Sequence, residues 1–527
     1  MKVLRTVRFF EYQKTNSPHS YLYIMEQKNY TNPKSFWIKT TEETNFPTLH
    51  GEMEADVAII GGGIAGLASA YMLKKEGKTV VVLEADKIAA DVTGHTTAHI
   101  SYGHNLIYQE LIKNFDPEIV KLYIEANKTA LEKIAEMVEK YNIECDFSRV
   151  PQYMFAETEE ELAKLQEEFK VLKELGVTEV VREDSVPLPF KTLGAIKYSN
   201  QAQFHPRKFL LAIAGQMFGK GVLIYENSRV AEVEDKGDYY EIETSEGKVK
   251  AKDVIVATHY PILDRGLYFP RMTIDRTYVI GVRTDEEITE HLFEASDEPP
   301  HSIRTERDEK GQVVFVLGSD HPVGTVTDTA NCYRKLEEYA CERFSVASVD
   351  YYWSAQDNYT FDKLPFIGRY MPGKDHLYVA TGFNGWGMTH GFVAGMLLSD
   401  LIMGRDNPWE KVYTPSRVNL TVGGTDLFKK NLEVGKHFVE GRMADRPEGV
   451  ENLEIGEGKI VEIDGEEVAA YRDSSNKVHK VSPKCTHMGC HVAWNNSEKS
   501  WDCPCHGSRF NYEGEVIHGP AVKNLNY

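Results

Sequence analysis

The chain has 527 residues, 42% of them hydrophobic, and a formal net charge of −20. This acidic balance argues against nucleic acid and against an anionic membrane surface as partners. The sequence holds no uninterrupted apolar run of about 18 residues, so we expect no membrane span. The length predicts two or three domains. The acidic run over residues 157–168 is interpreted as the solvated face of a helix.

Residues 1–53 precede the first predicted domain as an N-terminal extension. Residues 1–24 carry basic side chains but lack the hydrophobic segment of a secretory signal. The sequence leaves open whether they belong to the natural protein, because Met25 offers a second start. We therefore expect a cytoplasmic protein.

The first predicted elements form a dinucleotide-binding unit. Residues 55–60 have the pattern of a buried strand, which leads into the string GGGIAG and then an apolar helix. Gly61, Gly63 and Gly66 permit a tight turn, close approach of a pyrophosphate and packing of the helix on the strand. A second predicted strand ends at Glu84, whose carboxylate we expect to bond a ribose hydroxyl.

Later segments decide between NAD and FAD, which share this fingerprint. Residues 254–258 predict a late strand, residues 362–368 contain DKLPFIG, and residues 377–388 end in a glycine-rich turn before a helix. This ordered set resembles the D-amino-acid oxidase (DAO) family of FAD enzymes over residues 54–410. The resemblance implies an α/β fold, in which a Rossmann-like FAD-binding domain is interleaved with an α+β substrate domain.

The resemblance also implies FAD as the cofactor. A helix beginning at the last glycine-rich turn would place its positive end against the flavin ring. The sequence holds no second GxGxxG after a strand, so we expect an organic substrate rather than NADH to reduce the flavin. The residues expected around FAD are Gly61, Gly63, Ile64, Ala65, Gly66, Glu84, Ala85, Thr96, Thr97, Val230, Ala257, Thr258, Gly382, Gly385, Trp386, Gly387 and Met388.

Residues 150–200 and 260–355 are predicted to form the substrate layer. DAO members that oxidise amino acids often hold the substrate carboxylate with arginine, and Arg304 matches one such position. The position of a second family arginine reads Gln356, which cannot make the bidentate charged pair. This replacement weakens an α-amino acid as the substrate. No catalytic base is assigned, and the candidate acid–base groups are His99, His259 and His321.

Two short boxes near residue 500 carry metal-binding residue types. The first reads CTHMGC from Cys485 and the second reads CPCHGS from Cys503. Each box offers a thiolate and an imidazole, so together they suit either a Rieske 2Fe-2S centre or a tetrahedral zinc site. Zinc leaves the further cysteine of each box and the flanking glycines unexplained, which favours the Rieske centre.

Both strings resemble the Rieske proteins of respiratory cytochrome bc complexes, and the resemblance covers about residues 445–527. It implies a small all-β domain with a 2Fe-2S cluster. The iron ligands that it implies are Cys485, His487, Cys503 and His506.

The resemblance assigns further roles near the cluster. It implies a disulfide between Cys490 and Cys505, which Rieske domains of ring-hydroxylating oxygenases usually lack. Ser508 matches a serine that bonds a bridging sulfide. Phe510 stands where high-potential members have a tyrosine, so we expect a lower potential.

The predicted division of the chain has four parts. Because the two sets of motifs do not interleave, we expect the FAD core to be complete without the Rieske domain. The parts are an extension (1–53), an oxidoreductase (54–410), a linker (411–444) and a Rieske domain (445–527), with FAD-binding segments 54–150, 200–260 and 356–405.

Flavin accepts electrons in pairs, whereas the cluster carries one at a time. The presence of both sites in one chain predicts a dehydrogenase. We expect it to oxidise a small amine, amino acid or hydroxy acid and to pass electrons singly through the cluster to an external acceptor, such as a protein. An oxygenase would need a mononuclear iron site, usually two His and one carboxylate, and the sequence shows none. The alternative is a redox sensor or electron-transfer module without turnover of its own.

Overall fold

The strands between residues 51 and 381 fall into two sheets. The structure is a computed structural model that describes residues 30–263, 266–417 and 446–527. In chain order these strands are β1 (Gly51–Ile60), β2 (Val80–Leu83), β3 (His99–Ile100), β4 (Ser148–Ala156), β5 (Val180–Glu183), β6 (Gly194–Gln203), β7 (Val222–Tyr225), β8 (Val230–Asp235), β9 (Tyr240–Thr244), β10 (Gly247–Val256), β11 (Met272–Thr284), β12 (Leu292–Ala295), β13 (Ser302–Asp308), β14 (Gly311–Pro322), β15 (Val346–Thr360), β16 (Phe366–Arg369) and β17 (Leu377–Thr381).

The first sheet has the order β16-β17-β10-β1-β2-β7, and β9 joins it at β10 with β8 beside it. β1 pairs in parallel with β2 and β10, and Ile60 lies opposite the last residue of each. Because three parallel strands end together, Gly61, Glu84 and Ala257 leave the sheet side by side. This edge is where a dinucleotide binds in such sheets.

The second sheet has the order β15-β11-β14-β13-β12-β4-β6-β3, with β5 paired to β6. Apart from β3, it is built from two stretches, residues 148–203 and 272–360. The mixed α/β fold with an interleaved second sheet is therefore as predicted. β15 runs to Thr360, so this sheet extends slightly beyond the boundary expected at residue 356.

Helices pack on both sheets. α2 and α8 pack closely because Gly391 and Gly395 present no side chain, and a Cβ on either would lie 2.8 Å from α2. This contact holds the start of α8 beside the start of α2. The helices are α1 (Phe36–Lys39), α2 (Ile64–Lys75), α3 (Ile107–Asn114), α4 (Pro117–Tyr141), α5 (Glu159–Glu174), α6 (Pro206–Met217), α7 (Ala330–Arg343), α8 (Gly387–Ile402) and α9 (Glu410–Tyr413).

Residues 30–53 belong to the core, which corrects the expectation of an extension up to residue 53. Tyr30 and Trp37 are fully buried, and β1 already begins at Gly51. Aromatic burial on this scale requires the segment to fold with the rest of the domain. The expectation about residues 1–24 and Met25 falls outside the described residues. Among the described helices, none is both long and apolar enough to cross a membrane.

The residues from 446 to 527 form a small all-β domain, as expected. One sheet has the order β18-β19-β20 and the other β21-β22-β23-β24. Most of the predicted linker lies outside the described residues, but Arg417 still binds Asp362 at 2.7 Å in the first domain. The strands are β18 (Gly458–Ile463), β19 (Glu466–Arg472), β20 (Val478–Val481), β21 (Ala493–Asn495), β22 (Ser500–Asp502), β23 (Arg509–Asn511) and β24 (Val516–His518).

The small domain is docked on the second sheet through buried polar contacts. Arg276 of β11 is 1% exposed and lies 3.0 Å from Glu498 and 3.1 Å from Asp502. Gln356 of β15 donates to the Gly507 carbonyl at 2.9 Å and accepts from Arg276 at 3.2 Å. Gln356, which stands at a family arginine position, therefore holds a loop of the Rieske domain.

Candidate FAD cavity and iron–sulfur centre

The glycine-rich turn is packed as a dinucleotide site requires. A Cβ on Gly61 would lie 2.4 Å from the Ala257 carbonyl oxygen, and one on Gly66 would lie 1.9 Å from the Gly61 oxygen. Gly63 is less crowded, since the nearest atom to its Cβ would be Thr93 Oγ1 at 3.1 Å. The residues present therefore fit a pyrophosphate, which could approach the backbone at Gly63 because glycine has no side chain of its own.

Glu84 lies at the end of β2, where a ribose is expected. Its Oε2 accepts from the Gly62 N–H at 2.7 Å and its Oε1 accepts from the Asp86 N–H at 3.0 Å. Burial raises the pKa of Glu84 to about 7, although these two hydrogen bonds act in the opposite direction.

A cavity of about 640 Å³ connects this turn with the second sheet. Its volume lies in the range of cofactor and ligand pockets. Of the residues predicted to hold FAD, all except Gly66 line the cavity, as far as the described residues show. Gly66 instead permits the close packing described above, so its expected place beside FAD is corrected to a place behind the turn.

Two tryptophans hold the loop that carries Thr96 and Thr97. Trp37 Nε1 donates to the Thr96 carbonyl at 2.6 Å, and Trp353 Nε1 donates to the His95 carbonyl at 2.7 Å. These contacts were not predictable from the sequence, because the two indoles lie far from the loop along the chain.

The start of α8 lies on the same cavity. Trp386, Gly387 and Met388 line it, and within the described structure no side chain caps this helix start. The first N–H groups of a helix carry partial positive charge. They are therefore suited to the carbonyl edge of a flavin ring.

The second sheet contributes acidic groups to the cavity wall. Asp320, Asp357 and Tyr359 line the cavity with Thr277. Burial raises the pKa of Asp320 to about 7, and Asp275 and Asp357 act in the same direction. Burial and then Asp275 raise the pKa of Asp357 to about 6. No motif in the sequence marks these carboxylates, which come together only through the pairing of β11, β14 and β15.

His99 and Glu294 form a buried pair on the cavity wall. His99 Nδ1 and Glu294 Oε1 are 2.7 Å apart, and their side chains are 3% and 7% exposed. Burial lowers the pKa of His99 and raises that of Glu294, which favours an uncharged imidazole. His99 Nε2 has no hydrogen-bond partner among the described residues. The pair is therefore placed to exchange a proton with a molecule in the cavity.

Arg304 is not placed to bind a substrate carboxylate, which corrects the expectation from sequence. Its guanidinium binds the carbonyl oxygens of Thr97 and Ala98 and the carboxylate of Glu306. Arg304 is fully buried and, among the described residues, is not part of the cavity wall. It supports the loop beside the flavin position instead.

The other two histidine candidates differ in position. His259 lines the cavity, and its carbonyl accepts from Asn358 at 2.9 Å and from Thr381 at 2.5 Å. His321 lies 3.0 Å from the Tyr278 hydroxyl and stacks on that ring. We therefore interpret His321 as part of the sheet rather than of the site.

The two cluster boxes fold in the same way. The N–H of Cys485 donates to the carbonyl five residues later at 2.8 Å, and Cys503 does the same at 2.8 Å. In each loop a glycine four residues after the cysteine, Gly489 or Gly507, adopts a positive φ of 77° or 71°. The paired loops therefore follow from the common spacing of cysteine and glycine.

The donor set fits a 2Fe-2S cluster. Cys485 and Cys503 are buried and within hydrogen-bonding reach of each other, and the rings of His487 and His506 are 4.9 Å apart. Two thiolates and two imidazoles, with one of each supplied by either loop, suit the two irons of a Rieske centre. Such a cluster, when bound, carries one electron at a time.

The inner cysteines form the expected disulfide, Cys490–Cys505. The sulfur atoms of Cys490, Cys503 and Cys505 lie within 4.8 Å of one another, but the disulfide leaves only Cys503 as a ligand. The Ser508 hydroxyl accepts from the Ala521 N–H at 3.0 Å and bonds Cys485. Phe510 is fully buried in the same domain.

The Rieske domain also contributes to the FAD cavity. This overturns the expectation that the FAD core is complete without it, because the two motif sets are separate along the chain but adjacent in space. Its residues on the cavity wall are Arg509, Glu515, Val516, Ile517, His518, Gly519 and Val522.

These features define a flavin-dependent redox protein with an iron–sulfur centre in the same chain. Comparison with known families agrees: the DAO family (FAD dependent oxidoreductase) matches residues 56–401, and the Rieske [2Fe-2S] domain matches residues 448–527. The chain belongs to the DAO family of FAD-dependent oxidoreductases and carries a Rieske domain. It binds FAD in the first domain and a 2Fe-2S cluster in the second.

Individual relatives support both parts. YhfW of Bacillus subtilis (strain 168), named as a Rieske 2Fe-2S iron-sulfur protein, is 38% identical over 94% of this chain and 97% of its own. Gamma-glutamylputrescine oxidoreductase of Escherichia coli (strain K12) is 24% identical over 68% of this chain and 86% of its own. L-Proline dehydrogenase from P. horikoshii has the same fold, with a TM-score of 0.58, 19% identity, and coverage of 70% and 98% of the two chains.

Proposed function

We propose that this oxidoreductase removes two electrons from a small substrate at a C–N bond and passes them singly through the Rieske cluster to an external acceptor. FAD, when bound, accepts the pair of electrons from the substrate. The acceptor has to take electrons from a one-electron centre, so a one-electron carrier, such as a small redox protein, suits it. Cytoplasmic residence stays a prediction.

The observation that carries the proposal is the shared boundary of the two redox sites. The ring of His506, an expected iron ligand, packs 5.8 Å from Phe269 and 6.3 Å from Tyr260. Tyr260 follows His259, which lines the FAD cavity. The cluster loop thus faces the flavin domain through a buried interface, which supports electron transfer within one chain.

The acidic wall supports a substrate that carries a positive charge. Asp320 and Asp357 face the cavity, while Arg304 is engaged elsewhere and Gln356 holds the Rieske domain. A protonated amine without an α-carboxylate matches this arrangement better than an amino acid does. Nitrogen compounds also appear in the names of the relative and the neighbour described above, γ-glutamylputrescine and proline.

The His99–Glu294 pair supports the same chemistry. Oxidation of an amine requires that its ammonium group lose a proton before hydride leaves the adjacent carbon. We assign proton exchange to Nε2 of His99, which lies on the cavity wall with its other nitrogen held by Glu294.

An anaerobic screen of the full-length protein tests the proposal. Primary amines, diamines, amino acids and hydroxy acids are mixed with the protein, and the flavin absorbance is followed. An amine is expected to bleach the flavin and then to produce the spectrum of the reduced cluster. Bleaching only by hydroxy acids would contradict C–N oxidation. Failure of every compound to reduce the flavin would favour an electron-transfer module.

A further inference from the structure

We propose that the Rieske domain is part of the FAD-binding site, and that His518 makes this possible by neutralising Asp91 on the cavity wall. The inference concerns cofactor binding, so it does not depend on the substrate proposed above. It predicts that loading of FAD and docking of the Rieske domain stabilise each other.

Asp91 lies close to the glycine-rich turn. This residue lines the cavity and lies two residues before Thr93, whose Oγ1 accepts from the Ile64 N–H at 3.2 Å at the start of α2. The Ala89 N–H also donates to the Gly62 carbonyl at 3.1 Å. The segment that carries Asp91 is therefore packed on the glycine-rich turn, where the pyrophosphate of FAD is expected.

His518 of the Rieske domain contacts Asp91. Its Nδ1 lies 2.6 Å from Asp91 Oδ2, and its side chain is 4% exposed, whereas the Asp91 side chain is 62% exposed at the cavity. Burial alone would raise the pKa of Asp91, but His518 outweighs it and holds the pKa below the ordinary value. Asp91 is therefore ionised, and its hydrogen-bond partner His518 comes from the other domain.

Two further segments of the FAD domain contact β24, the strand that carries His518. Arg229 Nη2 donates to the Val516 carbonyl at 3.0 Å, immediately before β8. The His259 ring lies 5.5 Å from the His518 ring, just after β10. Three separate connections at the dinucleotide edge of the first sheet thus meet β24. Because three segments contact β24, this strand is held in one position over the cavity.

Electrostatics then explain why His518 matters for FAD. The cofactor's pyrophosphate is anionic, and a bare Asp91 carboxylate on the same wall would repel it. Loss of the His518 side chain would leave the Asp91 carboxylate on this wall without its partner. Binding that requires the paired state also stabilises it, so FAD should tighten the contact between domains.

The test uses the full-length protein. We expect His518→Ala to raise the Kd for FAD at least about tenfold, measured by flavin fluorescence on deflavinated protein, with iron content and Rieske EPR signal unchanged. His479→Ala is the matched control. His479 also pairs with an aspartate of the Rieske domain, Asp473 at 2.9 Å, but is not on the described cavity wall. Wild-type affinity in His518→Ala would overturn the proposal.

A second substitution separates charge from packing. The double variant combines Asp91→Asn with His518→Ala. It leaves no charge uncompensated, so most of the lost affinity for FAD should return. If the double variant binds FAD as weakly as His518→Ala does, the proposal that His518 neutralises Asp91 is wrong. If His518→Ala also loses its cluster, His518→Gln keeps a hydrogen-bond donor in place and should retain the cluster while binding FAD weakly.

Hydrogen exchange tests the coupling from the other side. FAD should slow amide exchange in residues 509–522, which line the cavity, but not in residues 458–472, which form β18 and β19. Equal exchange in residues 509–522 with and without FAD would contradict the coupling.

Discussion

The three glycines of the dinucleotide turn have different structural roles, although the GxGxxG pattern does not distinguish them. Gly61 and Gly66 are fixed by backbone contacts, while Gly63 has a φ of −79° and a Cβ there would meet the Thr93 hydroxyl oxygen at 3.1 Å rather than backbone. The motif therefore predicted the turn correctly, but only the structure shows which of these glycines line the cavity, namely Gly61 and Gly63.

Gly63→Val provides the corresponding prediction. The backbone at Gly63 accepts a side chain, but that side chain would occupy space in the cavity, so the purified variant should contain little FAD and still fold. The flavin-to-protein ratio and the melting temperature measure the two effects. Gly66→Val is the comparison and should lower the melting temperature strongly. A full complement of FAD in Gly63→Val would show that the pyrophosphate lies elsewhere.

Phe510→Tyr tests the expected link between donors and potential. A tyrosine hydroxyl at this buried position is expected to donate to the Cys485 sulfur and to favour the reduced cluster, so the midpoint potential should rise. Protein-film voltammetry measures it, and Tyr512→Phe, which removes a hydroxyl from the same strand region, serves as the control. A lower potential in Phe510→Tyr would mean that the hydroxyl does not reach sulfur.

The carboxylates of the substrate layer predict a pH dependence. The pKa of Asp320 is raised to about 7 and that of Asp357 to about 6, so both are neutral at lower pH and ionised above it. Binding of a protonated amine should therefore strengthen as the pH rises from about 5 to 8. The rate constant kcat/KM for flavin reduction reports this, and Asp320→Asn should flatten the upper part of the profile. A profile that falls over this range would exclude a cationic substrate.

The limits of sequence reasoning are clearest for acidic residues. The run over residues 157–168 was expected to face solvent, but Glu168 is fully buried and accepts the N–H groups of Tyr108 and Gln109 at the start of α3. Charge alone cannot reveal such a role, because the partner N–H groups lie about 60 positions away along the chain. The same holds for Asp320 and Asp357.

Among the elements, the short local motifs were the most predictable. The turn after β1, the start of α8 and the two cluster loops depend on glycine, cysteine and histidine at fixed spacing, and the structure has them where the sequence places them. The docking surface between β11, β15 and the Rieske strands was not predictable. Arg276 and Glu498 are ordinary charged residues until the fold buries them together.

Arg276→Met tests the role of this surface. The change removes the ion pairs that join the second sheet to Glu498 and Asp502, whose other partner, Arg509, lies in the Rieske domain itself. We expect the Rieske domain to separate from the second sheet, seen as faster proteolysis between the domains. Arg283→Met is the matched control, because Arg283 binds Asp308 and Asp350 within the second sheet alone. Equal proteolysis of both variants would show that Arg276 does not hold the domains together.

For the whole molecule, the order of electron transfer is the decisive property. If the cluster is the exit, substrate should reduce the flavin in a first phase and the cluster in a second, and stopped-flow absorbance can resolve the two. Phe510→Tyr should alter only the second phase, since it changes the cluster and not the flavin site. Reduction of the cluster before the flavin would contradict the proposed route.

The N-terminal segment has a consequence for how the protein is made. The Asn32 N–H donates to the Ser497 carbonyl at 3.1 Å, the Tyr352 hydroxyl donates to the Thr31 carbonyl at 2.6 Å, and Tyr30 binds Glu337 at 2.5 Å. During synthesis on the ribosome, residues 30–32 emerge long before any of these partners exists. The Tyr30 side chain therefore stays exposed while most of the chain is translated. The segment is thus fixed in two stages, first by Glu337 and Tyr352 and later by Ser497 of the Rieske domain.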